Sequence, residues 1–293
     1  KYIMFKGVFT ALLTPFKNGE LDEVSFRSFI DFQIESGIHG LVPVGTTGES
    51  PTVSHDEHKL AVEICIDQAN KKVPVIAGTG SNNTAEAIEL TNHACEKGAD
   101  AALVVTPYYN KPNQEGLYAH YKAIAENSDI PIVIYNIPGR SIVDMNLETM
   151  NKLFQIKNII GVKDATSDIS RVFKYKSIIG DSFNQLSGED ATTLAYMTYG
   201  GHGSISVTSN IAPKLCSDFM NLCLAGKFDE ASKINDKLMK LHECLFLEPS
   251  PGPVKYAAEK LGLMSSELRL PLVEISKNTK DRVDEAMKFA SLI

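Results

Sequence analysis

Residues 159–166 have the sequence IIGVKDAT, a short apolar run of strand type that carries one lysine, Lys163, near its carboxyl end. A lysine inside a buried strand is costly unless it is paired or used. Burial also lowers the pKa of a lysine, which frees its amine to attack a carbonyl carbon. The run therefore predicts a buried strand and, provided that the chain builds a pocket around the amine, Schiff-base chemistry.

Seven further runs that predict strands lie before and after this one, which makes eight in total. The eight apolar or β-branched runs begin at Gly7, Gly40, Val73, Asp100, Ile130, Ile159, Phe183 and Gly203. Their starts lie roughly 20–33 residues apart, which is the length of one βα unit. Near-continuous apolar runs are typical of parallel strands that are buried on both faces of a sheet.

Amphipathic helical patterns fill the intervals between these strands. They are predicted at residues 21–38, 55–69, 84–97, 117–127, 147–154, 170–179, 192–198 and 213–225. Eight βα units joined by right-handed crossovers predict an α/β fold, a closed (β/α)8 TIM barrel, over residues 1–225. Residues 226–293 are predicted to form a C-terminal helical extension, with helices at 228–247, 254–261 and 280–292.

The composition of the 293-residue chain limits its partners. Its formal net charge is −7, and it contains no block or stripe of basic residues. Nucleic acid is therefore not expected as a partner, because its phosphates are bound by clustered lysines and arginines. The sequence has no run of about 18 apolar residues and no signal-peptide pattern, so we expect no membrane association and a cytoplasmic location.

Cysteine usage agrees with a reducing compartment. The five cysteines are widely spaced and form no CxxC pair: Cys65, Cys95, Cys216, Cys223 and Cys244. This pattern predicts small buried thiols rather than a zinc site or a disulfide framework.

A TIM barrel builds its active site where the strands end, so the polar residues at those ends are informative. Strand two ends in GTTGES (45–50), whose two glycines allow a sharp turn that exposes amides and the Thr46 and Thr47 hydroxyls to a small anion. The other polar strand ends are TPYY (106–109), YNIPGR (135–140), SGED (187–190) and GSISVT (203–208).

The surroundings of Lys163 favour a keto acid held as an imine. By the two-residue period of a strand, Lys163 shares a face with Gly161 and Ala165, which are small and leave room for a ligand. Tyr135 ends the preceding strand, where its hydroxyl is expected to move protons during addition to a carbonyl. Arg140 lies just beyond and is expected to hold a carboxylate through two parallel hydrogen bonds.

Six motifs in order give the chain a specific resemblance. They are GTTGES (45–50), AGTGSNNTAEA (77–87), VTPYYNKP (105–112), YNIPGR (135–140), GVKDAT (161–166) and GSISVTSN (203–210). In these motifs, and over nearly its whole length, the chain resembles the dihydrodipicolinate synthase (4-hydroxy-tetrahydrodipicolinate synthase) family of pyruvate-dependent class I aldolases. The resemblance implies condensation of pyruvate with L-aspartate 4-semialdehyde in lysine and diaminopimelate biosynthesis, by a lyase without a cofactor or a metal.

The resemblance also implies roles for the catalytic residues. Lys163 would form the imine with pyruvate, and Tyr135 would shuttle protons during imine formation, enamine formation and cyclisation. Thr46 would link Tyr135 to Tyr109 in a proton relay. Because the family's relay tyrosine comes from the adjacent subunit, Tyr109 would complete a neighbour's site, and a homotetramer built as a dimer of dimers is expected.

Four more residues would bind the substrates, again by resemblance. Thr47 would hold the pyruvate carboxylate, Gly188 would line the substrate pocket, and the carbonyl of Ile205 would face the same pocket. Arg140 would bind the carboxylate of L-aspartate 4-semialdehyde.

Members of this family often carry a feedback site for L-lysine at the dimer interface. The matching positions in this chain are Ser50, His55, His58, Asn82, Glu86 and Tyr108. Glu86 would pair with the ammonium group of the effector. Pro51 departs from the family pattern, in which alanine is common at this position in lysine-sensitive members. The six matching positions imply inhibition by L-lysine.

Two short patterns suggest other ligands, and each has a plainer explanation. His55-Asp56-Glu57-His58 is not HExxH and lacks an evident third ligand, whereas Ser54 or Asp56 explains a helix start. The glycines at 78–80 and 200–203 do not continue as GxGxxG in a βαβ unit, so they predict tight turns rather than a nucleotide site.

Three alternative functions remain open from the sequence. A sister aldolase, such as an N-acetylneuraminate lyase or a keto-sugar-acid aldolase, shares the lysine and tyrosine but not the groups for the second substrate. A non-catalytic keto-acid or amino-acid sensor would need neither Lys163 nor Tyr135. A phosphate-handling barrel would use the loops after strands seven and eight, where Glu189 and Asp190 would repel phosphate.

Overall fold

The computed structural model describes residues 4–293 and contains eight parallel strands in one sheet. The strands are β1 (Gly7–Ala11), β2 (Gly40–Val42), β3 (Ile76–Gly78), β4 (Ala101–Val105), β5 (Ile132–Asn136), β6 (Ile159–Asp164), β7 (Asn184–Ser187) and β8 (Gly203–Ser206). Their order in the sheet is β2-β1-β8-β7-β6-β5-β4-β3. Every strand in this order lies beside its neighbour in the chain except β2 and β3, which stand at the two ends, and β1 lies beside β8. This order confirms the predicted (β/α)8 TIM barrel.

Twelve helices accompany the strands in the described residues. They are α1 (Glu23–Glu35), α2 (His55–Ala69), α3 (Thr84–Lys97), α4 (Gln114–Glu126), α5 (Pro138–Ser141), α6 (Leu147–Phe154), α7 (Ser170–Ile178), α8 (Thr193–Thr198), α9 (Pro213–Leu224), α10 (Phe228–Cys244), α11 (Gly252–Lys260) and α12 (Lys277–Phe289). None of the helices in residues 4–293 is long and apolar enough to cross a membrane.

One compact unit contains residues 75–205 together with the described residues 4–6. Within it, neighbouring parallel strands keep a regular register, in which Tyr135 on β5 is paired with Lys163 on β6 and Lys163 with Leu186 on β7. Because paired residues of adjacent parallel strands point to the same face, this register alone places the tyrosine and the lysine side by side.

The other compact unit contains residues 7–74 and 206–293. Here β1 pairs with β2, and the Leu41 backbone N–H donates to the carbonyl of Pro74 at 3.0 Å, just before β3 begins. The C-terminal helices α10 to α12 belong to this unit, and α10 packs on both α9 and α12.

Side-chain caps explain where several helices begin. Ser54 and Glu57 form a reciprocal capping box at α2, which accounts for the polar string at 54–58. Asn113 accepts from the Gly116 N–H, so α4 begins three residues before its predicted start. Ser276 accepts from the Thr279 N–H, so α12 likewise begins three residues before its predicted start.

Two short elements were not predicted. The first strand ends at Ala11, and residues 16–21 form a separate antiparallel hairpin. Pro15 lacks an N–H group, and Asn18 and Gly19 both have positive φ, as a two-residue hairpin turn requires. The one-turn helix α5 begins at Pro138, whose fixed φ suits a first helical position.

Candidate active site

Lys163 is buried next to an aromatic ring. Its residue is 6% exposed, and its Nζ lies 4.0 Å from the ring centroid of Tyr135, which is equally buried. Both side chains stand at the carboxyl halves of adjacent strands, where a TIM barrel places its reactive groups. The structure thus brings together the two residues that the sequence singled out as nucleophile and proton carrier.

Gly188 packs closely against Lys163. The Gly188 N–H donates to the carbonyl of Asp164 at 2.7 Å, which brings its backbone close to β6. A Cβ added to Gly188 would lie 2.8 Å from Cβ of Ala165 and 3.2 Å from Cε of Lys163. A larger residue would therefore displace the lysine side chain.

The interpretation that Gly161 leaves room for a ligand is wrong. A Cβ added there would lie 2.1 Å from the carbonyl oxygen of Asn184 on β7. Gly161 is therefore required for close packing of two neighbouring strands.

Two carboxyl groups close to Lys163 in sequence or space are shifted towards the neutral form. Burial raises the pKa of Asp164, even though Thr166 donates both its N–H and its hydroxyl to that carboxyl, at 2.9 and 2.6 Å. Burial, and then the charge of Asp190, raise the pKa of Glu189, while Lys163 opposes this shift. Both shifts reflect the shielding of this part of the site from water.

Arg140 lies on a surface turn whose backbone is held by hydrogen bonds of a buried neighbour. It is exposed and belongs to the one-turn helix α5. The neighbouring Ser141 is buried, donates its hydroxyl to the carbonyl of Ile137 at 2.9 Å and accepts from the Thr106 hydroxyl at 3.0 Å. Thr106 was predicted only as part of a polar strand end, and Ser141, which lies five residues after the end of β5, was not singled out from the sequence.

A second contact holds the far end of the same turn. The Asn136 side-chain amide donates to Oδ1 of Asp144 at 2.8 Å, and the Arg171 guanidinium binds both oxygens of Asp144 at 2.9 and 2.5 Å. The segment that carries Arg140 is therefore tied at both ends, which lets an exposed arginine keep a defined position.

Tyr108 and Tyr109 form an exposed tip after β4. Tyr109 is 89% exposed and has a left-handed φ of 72°, an uncommon conformation for a residue other than glycine. The Asn82 side chain donates to the carbonyl of Tyr108 at 3.0 Å, and the Asn110 side chain donates to the carbonyl of Asn82 at 2.8 Å. The tip is thus rigidly held while its aromatic rings remain accessible.

Of the residues predicted for the L-lysine site, the structure places Asn82 against the Tyr108 carbonyl. Glu86 lies in the first turn of α3, where its carboxylate accepts from the Ser81 hydroxyl. In the other compact unit, Ser50 begins a short 3-10 helix. His55 is the exposed first residue of α2, and His58, one turn later, is buried.

Within residues 4–293, no group of three or more His, Cys, Asp and Glu side chains could hold a metal ion.

The loop at 45–50, which carries Thr46 and Thr47, is tightly built and strained. Thr47 is buried and Thr46 is partly exposed. Val44, just before the loop, and Glu49, within it, have φ values of 54° and 56°, a left-handed conformation that is costly for side chains of their size. A Cβ on Gly48 would meet the Leu12 carbonyl oxygen at 3.1 Å, so this glycine is needed for close approach to the chain after β1. Such strain persists only where the surroundings fix the backbone, and it is typical of functional loops.

Ile205, the last of the predicted substrate-binding residues, lies on β8 with a buried side chain.

Comparison with known proteins gives a consistent result. The model of the dihydrodipicolinate synthetase family matches residues 4–290. The 4-hydroxy-tetrahydrodipicolinate synthase of Afipia carboxidovorans is 61% identical over 289 residues, which are 99% of this chain and 98% of the relative.

Solved structures agree with this similarity. The chloride-inhibited dihydrodipicolinate synthase of Acinetobacter baumannii, complexed with pyruvate, has a TM-score of 0.96 and 44% identity, covering 99% of this chain and 100% of that one. The enzyme of Cyanidioschyzon merolae with lysine bound has a TM-score of 0.95 and 37% identity, covering 99% of both chains.

Proposed function

Because this chain belongs to the dihydrodipicolinate synthetase family and is a lyase, we propose that it condenses pyruvate with L-aspartate 4-semialdehyde to give 4-hydroxy-tetrahydrodipicolinate. The observation that carries the proposal is the Lys163 amine, buried and 4.0 Å from the centre of the Tyr135 ring. An amine largely removed from water, beside a phenol, has the two groups that imine formation needs: a nucleophile and a proton carrier.

The reaction begins with attack of Lys163 Nζ on the keto carbon of pyruvate. Tyr135 donates a proton to the departing hydroxyl, water leaves and the imine forms. Loss of a methyl proton gives the enamine, whose carbon attacks the aldehyde of the second substrate. Ring closure by the substrate's own amino group then releases the product and restores the Lys163 amine.

The remaining site residues bind and orient the substrates in this proposal. Thr47 holds the pyruvate carboxylate, Arg140 binds the carboxylate of the semialdehyde, and Gly188 and the Ile205 carbonyl line the pocket. The close approach of Gly188 to the stem of Lys163 supports its place there.

Tyr109 has a different task, because it would complete the relay of a second subunit through that subunit's Thr46. A tyrosine that is 89% exposed, on a tip fixed by hydrogen bonds, is suited to insertion into a partner. We therefore propose a homotetramer built as a dimer of dimers. A cytoplasmic location is part of the proposal and is supported by five free cysteines.

Substrate preference tests the function against a sister aldolase. We expect kcat/KM for pyruvate with L-aspartate 4-semialdehyde to exceed that for N-acetylneuraminate cleavage by at least about a thousandfold, since Arg140 is placed to bind the carboxylate of a short second substrate. The measurement is product formation with each substrate under the same conditions. Faster cleavage of N-acetylneuraminate would overturn the assignment in favour of the sister aldolase.

We further propose that L-lysine inhibits the enzyme at Ser50, His55, His58, Asn82, Glu86 and Tyr108. The relative from Cyanidioschyzon merolae has lysine bound. In this chain, Glu86 offers a carboxylate in the first turn of α3, four residues after Asn82, which donates to the Tyr108 carbonyl. A carboxylate of this kind can pair with an ammonium group.

The Glu86→Gln variant should lose most of the inhibition by L-lysine, with the half-inhibitory concentration rising about tenfold or more. Its turnover without L-lysine should stay close to that of the unmodified enzyme. The measurement is an inhibition curve, with the exposed Glu89→Gln on the same helix as the matched control. Full activity of the unmodified enzyme in millimolar L-lysine would refute this regulatory site and leave the catalytic proposal intact.

A further inference from the structure

A completely buried ion pair connects the strained loop at 45–50 to helix α11. The side chains of Glu49 and Lys255 are both fully shielded from water, and Lys255 Nζ lies 2.6 Å from Oε1 of Glu49. The same amine donates to the carbonyl of Glu267 at 2.7 Å. Removing two charges from water is unfavourable unless their geometry and hydrogen bonds are good, so an ion pair of this kind often serves specificity rather than stability.

Arg269 holds the other oxygen of the same carboxylate. Its backbone N–H donates to Oε2 of Glu49 at 3.2 Å. Its guanidinium binds both oxygens of Glu57, at 2.7 and 2.5 Å, and donates to the Thr52 carbonyl at 2.9 Å. Each oxygen of Glu49 is therefore fixed by a different residue of the segment beyond residue 250.

Phe16, from the hairpin at 16–21, packs against both cations of this cluster. The Lys255 amine lies 4.1 Å from the centre of the Phe16 ring, and the Arg269 guanidinium carbon lies 4.0 Å from it. A fully buried ring of this kind attracts both cations and restricts their positions.

Glu49 is also the residue at which the loop is strained. Its left-handed φ of 56° is unfavourable for a glutamate, and the loop backbone continues directly from Thr46, whose carbonyl accepts from the Glu49 N–H at 3.1 Å. If the carboxylate were released, Glu49 would relax towards an ordinary conformation, and the bond to Thr46 would transmit that change to the two threonines.

We propose that Lys255 and Arg269 are positioning residues, which hold Glu49 so that the loop at 45–50 presents Thr46 and Thr47 to the substrate. The inference rests on the proposed function, because it assumes that Thr47 binds the pyruvate carboxylate. In this proposal, Lys255 and Arg269 of the C-terminal extension contribute to catalysis through Glu49 and not through contact with the substrate.

The test separates positioning from stability. We compare the full-length enzyme with Lys255→Met, Glu49→Gln and the double variant Glu49→Leu/Lys255→Met. Lys255→Met leaves a buried carboxylate unpaired and should lower Tm strongly, whereas the double variant leaves neither charge and should recover much of that loss. Burial lowers the pKa of Lys255 and the Glu49 charge opposes this shift, so the amine of Glu49→Gln can lose its proton and that variant should also fold.

Pyruvate binding is the readout that distinguishes the two roles. We expect KM for pyruvate to rise about tenfold or more in all three variants, because a displacement of about 1 Å at a binding group is enough for such a loss. The rise should persist in the double variant although its Tm recovers. A wild-type KM in the double variant would overturn the proposal. If the double variant does not fold, a wild-type KM in Glu49→Gln, measured well below its Tm, would overturn it equally.

A matched control and one further measurement keep this result separate from the proposed function. Lys260→Met removes a lysine from the same helix, α11, whose partner Asp284 lies 3.2 Å away and outside the cluster, so its KM should not change. Borohydride trapping of pyruvate on the wild-type enzyme is run in parallel. Failure of wild type to form the adduct would refute the catalytic proposal, whereas an adduct with unchanged KM in the variants would refute only the positioning role.

Discussion

Replacing Lys163 with methionine should abolish condensation, with a loss in kcat/KM of at least about a thousandfold. Methionine keeps the unbranched stem but has no amine, so no imine can form and the reaction loses its covalent intermediate. The same change removes a polar group from a buried position, where only 6% of the residue is exposed. We therefore expect Tm to stay the same or to rise while activity disappears, which is the signature of a residue kept for function at a cost in stability.

Steady-state kinetics and a thermal melt on the same preparation check both parts of this expectation. Lys174→Met is a suitable control, because it removes an exposed lysine whose partner Asp168 lies 3.4 Å away on the same unit. It should change neither activity nor Tm appreciably. Activity of Lys163→Met within tenfold of wild type would show that the amine is not the nucleophile.

The second large effect is expected for Tyr135→Phe. The change keeps the ring beneath Lys163 Nζ, at 4.0 Å from its centre, and removes only the hydroxyl. Proton transfer by a positioned side chain contributes about a hundredfold or more to a rate, so kcat should fall by that amount. KM for pyruvate should change little, since the carboxylate-binding groups are untouched, and the borohydride-trapped adduct should form more slowly but to completion.

Tyr121→Phe provides the matched control for the loss of a tyrosine hydroxyl. Tyr121 is fully buried, and its hydroxyl donates to the carbonyl of Val104 at 2.8 Å. Removing it leaves a buried carbonyl without that donor, so Tm should fall while kcat stays close to wild type. If Tyr135→Phe behaved like Tyr121→Phe, with lower stability and unchanged kcat, the proton-carrier role would be refuted.

The sequence was sufficient for the parts of the fold that depend on local periodicity. Eight apolar runs at βα spacing predicted the strands and their order, and that order places Tyr135 beside Lys163 because their strands are neighbours. The helix starts were less accurate, since single side chains such as Asn113 and Ser276 decide them.

Long-range contacts could not be predicted from one sequence. Glu49 and Arg269 are 220 residues apart, and nothing in their local patterns connects them. Lys255 was visible only as one lysine in a helical segment, where a charged residue is ordinarily assigned to the surface. The packing role of Gly161 was missed for the same reason, because it depends on how closely β7 approaches.

The most direct test of the account is the position of the covalent intermediate. The wild-type enzyme is incubated with pyruvate, reduced with borohydride, digested and analysed by mass spectrometry. We predict a reduced pyruvyl group on the peptide that contains Lys163, dependent on both reagents and missing from Lys163→Met. An unmodified Lys163 in the treated wild type, or an adduct on another lysine, would contradict the central claim that this amine captures the keto acid.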